Sequence, residues 1–407
     1  MTKSYLSHLQ CSSCGTRHSF DKPINNTCAD GGILDCRYDI ERARAEITKE
    51  DIARGPASLW RYAPMLPAQD PANAVTLSEG WTPLLRAPGI EKALGCREIW
   101  IKDEGRNPSG TFKDRGATVA ATRFRELGIK TMVHNSSGNA GGAWALYCAR
   151  AGIGCVNLLA EDTLPSSLQQ SSLAGAKTYV LQGHWKHAGP MVAKAAEAHG
   201  WFLGGTLKEP YRLEGKKTMG WEIAEQLGWE FPDAVFYPTG GGVGAIGIFK
   251  AFGEIEALGW AADQNRKPRL IVTQYEGCAP MVKAFEEGKD ETEPWEDMDV
   301  LPGGLKSVKP PGDRDVLRIL RETGGTAFGL STEASLDAVK MLAREEGIFS
   351  CPESATTLAG LIRALEKGDV DKDERIVLTI TGSGLKSLPT LPAPDTVPIA
   401  PGAGIPA

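Results

Sequence analysis

The sequence has no long apolar run: nowhere in its 407 residues do 18 or more apolar residues follow one another, as a membrane-spanning helix requires. The first fifteen residues are polar and carry two cysteines in place of an apolar signal core, so we expect neither a membrane protein nor a secreted one. Basic residues are not in excess, because 45 Lys and Arg stand against 51 Asp and Glu. A nucleic-acid partner is therefore not expected.

Cysteine gives no support for a disulfide framework. The nine cysteines are odd in number, and several, such as Cys148 and Cys155, lie within apolar stretches. We therefore expect a reducing, cytoplasmic location. Glycine, in contrast, is abundant: 47 of 407 residues, about 12% against a usual ~7%. Because no collagen-type repeat accompanies them, these glycines predict tight turns and close approach of the backbone to a ligand.

Short apolar runs alternate with longer helical patterns from about residue 97 onward. This alternation predicts an α/β fold with parallel sheets whose faces are covered by helices. The predicted strands are 98–102, 131–134, 155–160, 178–181, 234–237, 269–274 and 375–381. Predicted helices include 212–228 and 331–346, the second with Ser331 or Thr332 as its N-cap.

The two ends of the chain depart from this alternation. Residues 1–60 hold four cysteines and show little periodicity before the charged stretch 39–54, so we interpret them as an N-terminal appendage. Residues 389–407 contain six prolines and no Lys or Arg. This composition predicts a disordered tail or an arm that lies on a neighbouring molecule.

One lysine stands at an unusual place. The segment 107–116, NPSGTFKDRG, puts Lys113 at the start of a helix that is predicted to run to about Leu127. The positive end of a helix dipole disfavours a cation, so Lys113 is better suited to be a neutral amine or an imine. The alternative is a solvated surface lysine beside Asp114.

Two glycine-rich segments predict anion binding. Segment 134–142, HNSSGNAGG, leads from a strand into a helix predicted at 143–151, and segment 238–247, PTGGGVGAIG, leads into another helix. Backbone amides at such helix starts bind carboxylate or phosphate. For the first segment the alternative is a tight capped turn. A further segment, 379–386, puts hydroxyl groups at the end of the last predicted strand.

The second glycine-rich segment also allows a dinucleotide site. Gly242-x-Gly244-x-x-Gly247 is a literal dinucleotide fingerprint, and Glu276 ends the next strand as a candidate ribose ligand. The separation from Gly247 to Glu276 exceeds the expected spacing of about 20 residues. This interpretation also leaves Lys113 and Asn139 without a role.

Taken in order, five segments resemble the threonine synthase family of pyridoxal-phosphate enzymes, which have the fold type of the tryptophan synthase β subunit. They are SGTFKDR at 109–115, SSGN at 136–139, PYRLEGKKT at 210–218, the glycine-rich loop at 238–247 and TGSGLK at 381–386. The motif GWTPL at 80–84 also resembles the start of that family. The resemblance covers about residues 75–388.

The resemblance implies an architecture: two parallel-sheet α/β domains with the pyridoxal-phosphate site in the cleft between them. The implied division is a cysteine-bearing segment at 1–60, a large domain from 61–125 and 201–388, a small domain at 126–200 and a proline-rich tail at 389–407. The family also implies a homodimer that acts on a small amino-acid substrate.

The resemblance further implies roles for individual residues. Lys113 is expected to form the Schiff base and then to move protons as general base and acid. Asn139 is expected to contact the ring hydroxyl of the cofactor, and Thr381 to face its pyridine nitrogen. The implied phosphate ligands are Gly240, Gly241, Gly242, Val243 and Gly244. Ser136 and Ser137 are expected to bind the substrate carboxylate.

The activity that the resemblance implies is a lyase reaction, in which O-phospho-L-homoserine and water give L-threonine and phosphate. Arg212 occupies the position of the family's arginine for the substrate phosphate, with Lys216 and Lys217 beside it. Two features differ from many threonine synthases: Ala140 follows the asparagine, and the phosphate loop holds only Gly and Val. The glycine-rich loop resembles serine and threonine dehydratases of the same fold, which are the alternative.

The N-terminal cysteines resemble half of a zinc ribbon. Cys11-x-x-Cys14 precedes a glycine, as in a zinc-binding turn. The other half is incomplete, because Cys28 lacks a second cysteine three residues later and Cys36 lies further along. His18 or Cys36 is needed to complete four ligands. We predict a metal-free remnant, with zinc on Cys11, Cys14, Cys28 and Cys36 as the alternative.

Overall fold

The computed structural model describes residues 3–25, 28, 32–183, 185–263 and 267–401. The strands are β1 Leu6–Cys11, β2 Arg17–His18, β3 Leu34–Tyr38, β4 Leu84–Arg86, β5 Glu98–Asp103, β6 Thr131–Ser136, β7 Gly154–Ala160, β8 Lys177–Leu181, β9 Phe202–Leu203, β10 Ala234–Pro238, β11 Arg269–Tyr275, β12 Thr326–Leu330 and β13 Arg375–Ile380. The helices are α1 Ile40–Glu46, α2 Lys49–Ala53, α3 Pro88–Leu94, α4 Lys113–Glu126, α5 Asn139–Ala151, α6 Pro165–Leu173, α7 Ala188–His199, α8 Tyr211–Gln226, α9 Val243–Ala257, α10 Pro280–Glu286, α11 Asp313–Glu322, α12 Thr332–Glu346 and α13 Pro352–Lys367. None of the helices within these described ranges has the length and apolar character needed to cross a bilayer.

The largest sheet has the strand order β12-β11-β10-β13-β5-β4, and all its pairs are parallel except β4 with β5. Helices cover both faces: α8, α9 and α11 pack on one, and α3, α12 and α13 on the other. Val235 and Phe236, neighbours on β10, belong to the two opposite cores. Burial on both faces explains why these strands are continuously apolar in sequence.

The second sheet, β8-β7-β6-β9, is entirely parallel and uses residues 131–203. All seven predicted strands are present with ends that agree within two residues, and the predicted α/β fold is confirmed. The N-cap prediction at Ser331 is also confirmed, since its side chain accepts a hydrogen bond from the Ala334 amide at 3.1 Å. The division into domains stays a prediction.

Some elements were predicted wrongly or not at all. Helix α5 begins at Asn139 and not at residue 143, because the small residues after β6 already form its first turn. Strand β4 escaped prediction because it has only three residues, and they lie at the sheet edge. The tail carries almost no regular structure from residue 392 to 401 and is exposed there, while 402–407 lie outside the described residues.

The N-terminal segment forms a third, antiparallel sheet of order β2-β1-β3. Its inner face joins the core under α4 and α5, where Leu9 and Cys36 are buried. Cys36 therefore points into that core. The sulfur atoms that cluster are those of Cys11, Cys14 and Cys28, so the alternative ligand set with Cys36 is not the one that the structure brings together.

Helices α4 and α8 cross in very close contact, which sets the position of the residues at their N-terminal ends. A Cβ atom on Gly215 would lie 1.8 Å from the backbone oxygen of Arg115, so only glycine permits this crossing. The backbone oxygen of Arg212 lies 3.0 Å from the corresponding Cβ position on Gly116. The crossing thereby brings Lys113, at the start of α4, close to Arg212 on α8.

A fully buried charge network fixes this crossing. The Arg115 guanidinium donates to Glu104 and to Glu222 at distances of 2.6–2.7 Å. Lys102 donates to the same Glu222 at 2.7 Å, and Thr218 accepts from Arg115 at 2.9 Å. The two cations lower the pKa of Glu222 despite its burial. Each charge is thus compensated, as burial demands.

We expect Thr218→Val to destabilise the fold by about 1–2 kcal/mol. The substitution keeps the side-chain shape but removes one acceptor of a buried guanidinium, which retains both carboxylates. Chemical unfolding followed by circular dichroism measures the change. The control is Thr396→Val in the exposed tail, for which we expect a change within about 0.5 kcal/mol. Equal stabilities of the two variants would contradict the role given to Thr218.

Candidate active site

A cavity of about 560 Å³ opens where the carboxyl ends of β6, β10 and β13 meet the start of α4. Ligands of parallel α/β sheets bind at this edge. The structure brings every predicted cofactor and substrate residue to its wall: Lys113, Ser136, Ser137, Asn139, Arg212, Gly240, Gly241, Gly242, Val243, Gly244 and Thr381. The segments that carry them lie far apart in the sequence and share one site.

Lys113 is partly buried at the first position of α4 and lines the cavity. Burial, with a smaller contribution from the charge of Arg212, lowers the pKa of its amine to about 7. The alternative of a solvated surface lysine is therefore wrong. A substantial fraction of the amine is uncharged at neutral pH, which is what a nucleophile or a general base requires.

Residues 240–244 form an anion-binding nest at the start of α9. Gly242 caps the helix with a φ of +88°, a left-handed conformation that favours glycine. The amide N–H groups of 240–244 meet no acceptor in the part of the chain that the structure describes. Converging free amides at a helix N-terminus suit a phosphate group.

A second helix start faces the same space from the smaller sheet. Ser136 accepts a hydrogen bond from the Gly138 amide at 3.0 Å, which turns the chain from β6 into α5. Ser167 donates to the Asn139 side-chain oxygen at 3.2 Å and fixes that side chain at the cavity wall. Hydroxyl groups and the first amides of α5 thus face the cavity together, an arrangement suited to a carboxylate.

Thr381 follows β13 and lies close to the start of α4. Its backbone oxygen accepts from the Phe112 amide at 3.0 Å. Its hydroxyl shares a hydrogen bond of 3.0 Å with Ser354, whose hydroxyl also accepts from the Gly382 amide at 3.1 Å. A neutral hydroxyl, rather than a carboxylate, therefore stands at this position of the wall.

Arg212 is buried and its charge is poorly compensated. It donates to the backbone oxygen of Gly204 at 3.1 Å, and within the described ranges no carboxylate lies at ion-pair distance from it. Lys216, one turn further along α8, is buried without a hydrogen-bond partner in those ranges, and burial lowers its pKa strongly. Lys217 differs: it pairs with Glu214 and Glu254 and does not line the cavity.

Sequence reasoning missed several residues of the cavity wall. Lys208, Lys306 and Lys309 add positive charge, while Glu353 is the one carboxylate among the described wall residues. Lys306 pairs with Asp162, which follows β7, and so bridges the two sides of the cavity. Gly240 lets this loop approach closely, because a Cβ atom on Gly240 would lie 2.7 Å from the backbone oxygen of Gly304.

The dinucleotide interpretation does not fit the geometry. Glu276 is exposed and does not line the cavity. Gly247 serves the crossing of α9 with α8, because a Cβ atom there would lie 2.8 Å from the Lys217 amide nitrogen. The glycine spacing therefore reflects an anion nest followed by helix packing.

Comparison with known proteins agrees with this geometry. Residues 75–382 match the model of the family described as pyridoxal-phosphate dependent enzymes. The chain belongs to this family. Two similar proteins are threonine synthases: that of Methanocaldococcus jannaschii is 37% identical over 93% of this chain and 92% of its own. That of Methanosarcina acetivorans is 35% identical over 94% of this chain and 93% of its own.

Solved structures of pyridoxal-phosphate enzymes share the fold. A diaminopropionate ammonia lyase from Escherichia coli has a TM-score of 0.66 at 18% identity, over 77% of this chain and 87% of that one. A threonine deaminase isoform from Solanum lycopersicum has a TM-score of 0.62 at 17% identity, over 94% and 89%. These similarities support the architecture. They do not identify the substrate, which has to be inferred from the residues of the site.

Proposed function

We propose that this pyridoxal-phosphate enzyme is a threonine synthase, which converts O-phospho-L-homoserine and water to L-threonine and phosphate. One observation carries the proposal: two different helices, α8 and α9, offer donors for an anion at the wall of the cavity. The amide nest at 240–244 suits the phosphate of the cofactor. Arg212, which has no carboxylate at ion-pair distance within the described ranges, suits a second phosphate together with Lys216. A phosphorylated substrate supplies that second anion.

The residues present fit pyridoxal phosphate. We assign the nest at 240–244 to its phosphate, the Asn139 side chain to its ring hydroxyl and the Thr381 hydroxyl to its ring nitrogen. When bound, pyridoxal phosphate draws electrons from Cα of the amino acid and makes the Cα proton acidic. A hydroxyl opposite the ring nitrogen tempers this electron sink, which suits elimination and replacement.

The remaining residues position the substrate and move protons. Ser136, Ser137 and the first amides of α5 bind its carboxylate, and Arg212 with Lys216 binds its phosphate. Lys113, with an amine pKa of about 7, takes the proton from Cα and returns it. In the overall reaction the bond between Cγ and the phosphate oxygen breaks and phosphate leaves. Cβ loses one proton and Cγ gains one, so that Cγ becomes the methyl group. The hydroxyl of water bonds to Cβ, and the other proton of water goes to the released phosphate.

We also propose that the protein acts in the cytoplasm as a homodimer. The nine cysteines form no disulfide among the described residues, which suits a reducing compartment. The dimer rests on the family resemblance. Light scattering during size-exclusion chromatography measures the assembly, and a monomeric mass at enzyme-assay concentrations would contradict the dimer.

A substrate comparison tests the proposed reaction. The purified enzyme is incubated separately with O-phosphohomoserine, threonine and serine, and threonine, inorganic phosphate and 2-oxo acids are measured. We expect threonine and phosphate in equal amounts from O-phosphohomoserine, because each turnover releases one of each. Rapid release of 2-oxobutyrate from threonine, with no phosphate from O-phosphohomoserine, would instead identify a dehydratase, as the glycine-rich loop allows.

A further inference from the structure

Three cysteines of the N-terminal sheet converge at a point that the active site does not use. The sulfur atoms of Cys11, Cys14 and Cys28 all lie within 4.8 Å of one another, and those of Cys14 and Cys28 are 3.4 Å apart. None of the three lines the active-site cavity. Cys28 is far from the other two in sequence, so the fold itself assembles this cluster.

The turn between β1 and β2 has the geometry of a metal-binding turn. The Gly15 amide donates to the backbone oxygen of Cys11 at 3.1 Å, and the Cys11 amide donates to Thr16 at 2.9 Å. Gly15 has a φ of +72°, which favours glycine. This tight turn holds the side chains of Cys11 and Cys14 on the same side of the chain.

A fourth donor lies beside the cluster. His18, on β2, has its Nε2 atom 3.9 Å from the Cys28 sulfur. Zn–S bonds of about 2.3 Å and Zn–N bonds of about 2.0 Å in a tetrahedron place ligand atoms roughly 3.5–3.8 Å apart. The Cys14–Cys28 separation of 3.4 Å and the Cys28–His18 separation of 3.9 Å lie near this range. The His18 ring is not within 4.8 Å of all three sulfurs, so ligation requires a change of its rotamer.

We propose that Cys11, Cys14, Cys28 and His18 bind one structural zinc ion. Three thiolates and an imidazole prefer zinc over hard cations such as magnesium, and four protein ligands leave no position for a reacting water. The geometry thus points away from the metal-free remnant that the sequence predicts. The broken second half of the ribbon is replaced by one loop cysteine and one strand histidine.

The ion would hold the N-terminal sheet against the walls of the active site. Asn25, between Cys14 and Cys28 in sequence, donates to the backbone oxygens of Leu203 and Lys208 at 2.7 and 2.9 Å. Lys208 lines the cavity. On β3, the backbone oxygen of Cys36 accepts a hydrogen bond of 2.7 Å from Lys250 of α9. A small sheet with little core of its own gains most from such a metal.

Metal analysis of the full-length holoenzyme tests the proposal. Elemental mass spectrometry should find one zinc per chain in the wild type, and Cys14→Ser should lose it. Two controls should keep it: Ser13→Ala in the same turn, and Cys96→Ser, a buried cysteine outside the N-terminal sheet. Retention of the cofactor absorption shows that each variant is folded. Replacement by cobalt should give the visible bands of a tetrahedral thiolate site.

His18→Cys separates ligation from a purely structural role of the histidine. A thiolate at this position can also bind zinc, so the variant should keep one zinc per chain and shift the cobalt bands toward those of four thiolates. His18→Ala should bind the metal more weakly in a competition with a chelator. A cobalt spectrum that is the same in wild type and His18→Cys would contradict ligation by His18.

Two results would overturn the zinc site as a whole. One is wild-type protein without stoichiometric zinc after incubation with zinc chloride and desalting, or a Cys14→Ser variant that retains it. The other is a disulfide between Cys14 and Cys28, detected by peptide mapping without reductant in protein purified under reducing conditions. Their sulfur separation of 3.4 Å makes this bond the main competitor.

Discussion

Lys113→Ala should lose the yellow colour of the bound cofactor and lower turnover by about 10³-fold. The residue supplies both the amine that attaches the cofactor and the base that moves the Cα proton, so one substitution removes two functions. Its partly buried amine, with a pKa lowered to about 7, is suited to both tasks. Absorption spectra and a phosphate-release assay measure the two effects.

Lys216 provides the sharpest control for this prediction, because its amine is the nearest competitor. The Nζ atoms of Lys113 and Lys216 lie 4.1 and 3.8 Å from the centroid of the same Phe112 ring. Borohydride reduction followed by peptide mapping should place the pyridoxyl group on Lys113 in the wild type and in Lys216→Met. A label on Lys216, or a coloured Lys113→Ala variant with near-normal turnover, would contradict the assignment.

The sequence predicted the parts of the fold that depend on local pattern. Buried parallel strands are continuous apolar runs, and each glycine-rich segment follows such a run, so strands and site segments were found together. The short edge strand β4 carries no such pattern. Strand β12 was also not predicted, because it has only five residues and contains a glycine at position 329.

Features that depend on distant partners were not predictable. Arg115 and Glu222 resemble solvated helix residues in the sequence, yet they are fully buried because each finds a partner more than a hundred residues away. Lys306 and Lys309 lie in a loop without periodicity, and only its packing against the nest brings them to the cavity. Burial of charge is decided by tertiary pairing, which a single sequence does not display.

Arg212→Ala should lower kcat/KM for O-phosphohomoserine by about a hundredfold and leave the spectrum of the bound cofactor unchanged. A phosphate dianion in a cavity needs charge-assisted donors, and a hydrogen bond between charged groups is worth about 1.5–3 kcal/mol. The guanidinium is buried and has no carboxylate at ion-pair distance within the described ranges, so its charge is available to a ligand. The amide nest, which we assign to the cofactor phosphate, lies at the start of α9, whereas Arg212 lies on α8.

Arg212→Lys is the matched variant, since it keeps the charge but loses the planar pair of donors. It should recover part of the lost kcat/KM and part of the competitive inhibition by inorganic phosphate, which Arg212→Ala should lack. If Arg212→Ala instead lost the cofactor, the arginine would serve the cofactor phosphate, and the argument from two anion places would fail. If it changed neither the kinetics nor the phosphate inhibition, the substrate would need no second phosphate site, and a dehydratase would account better for the cavity.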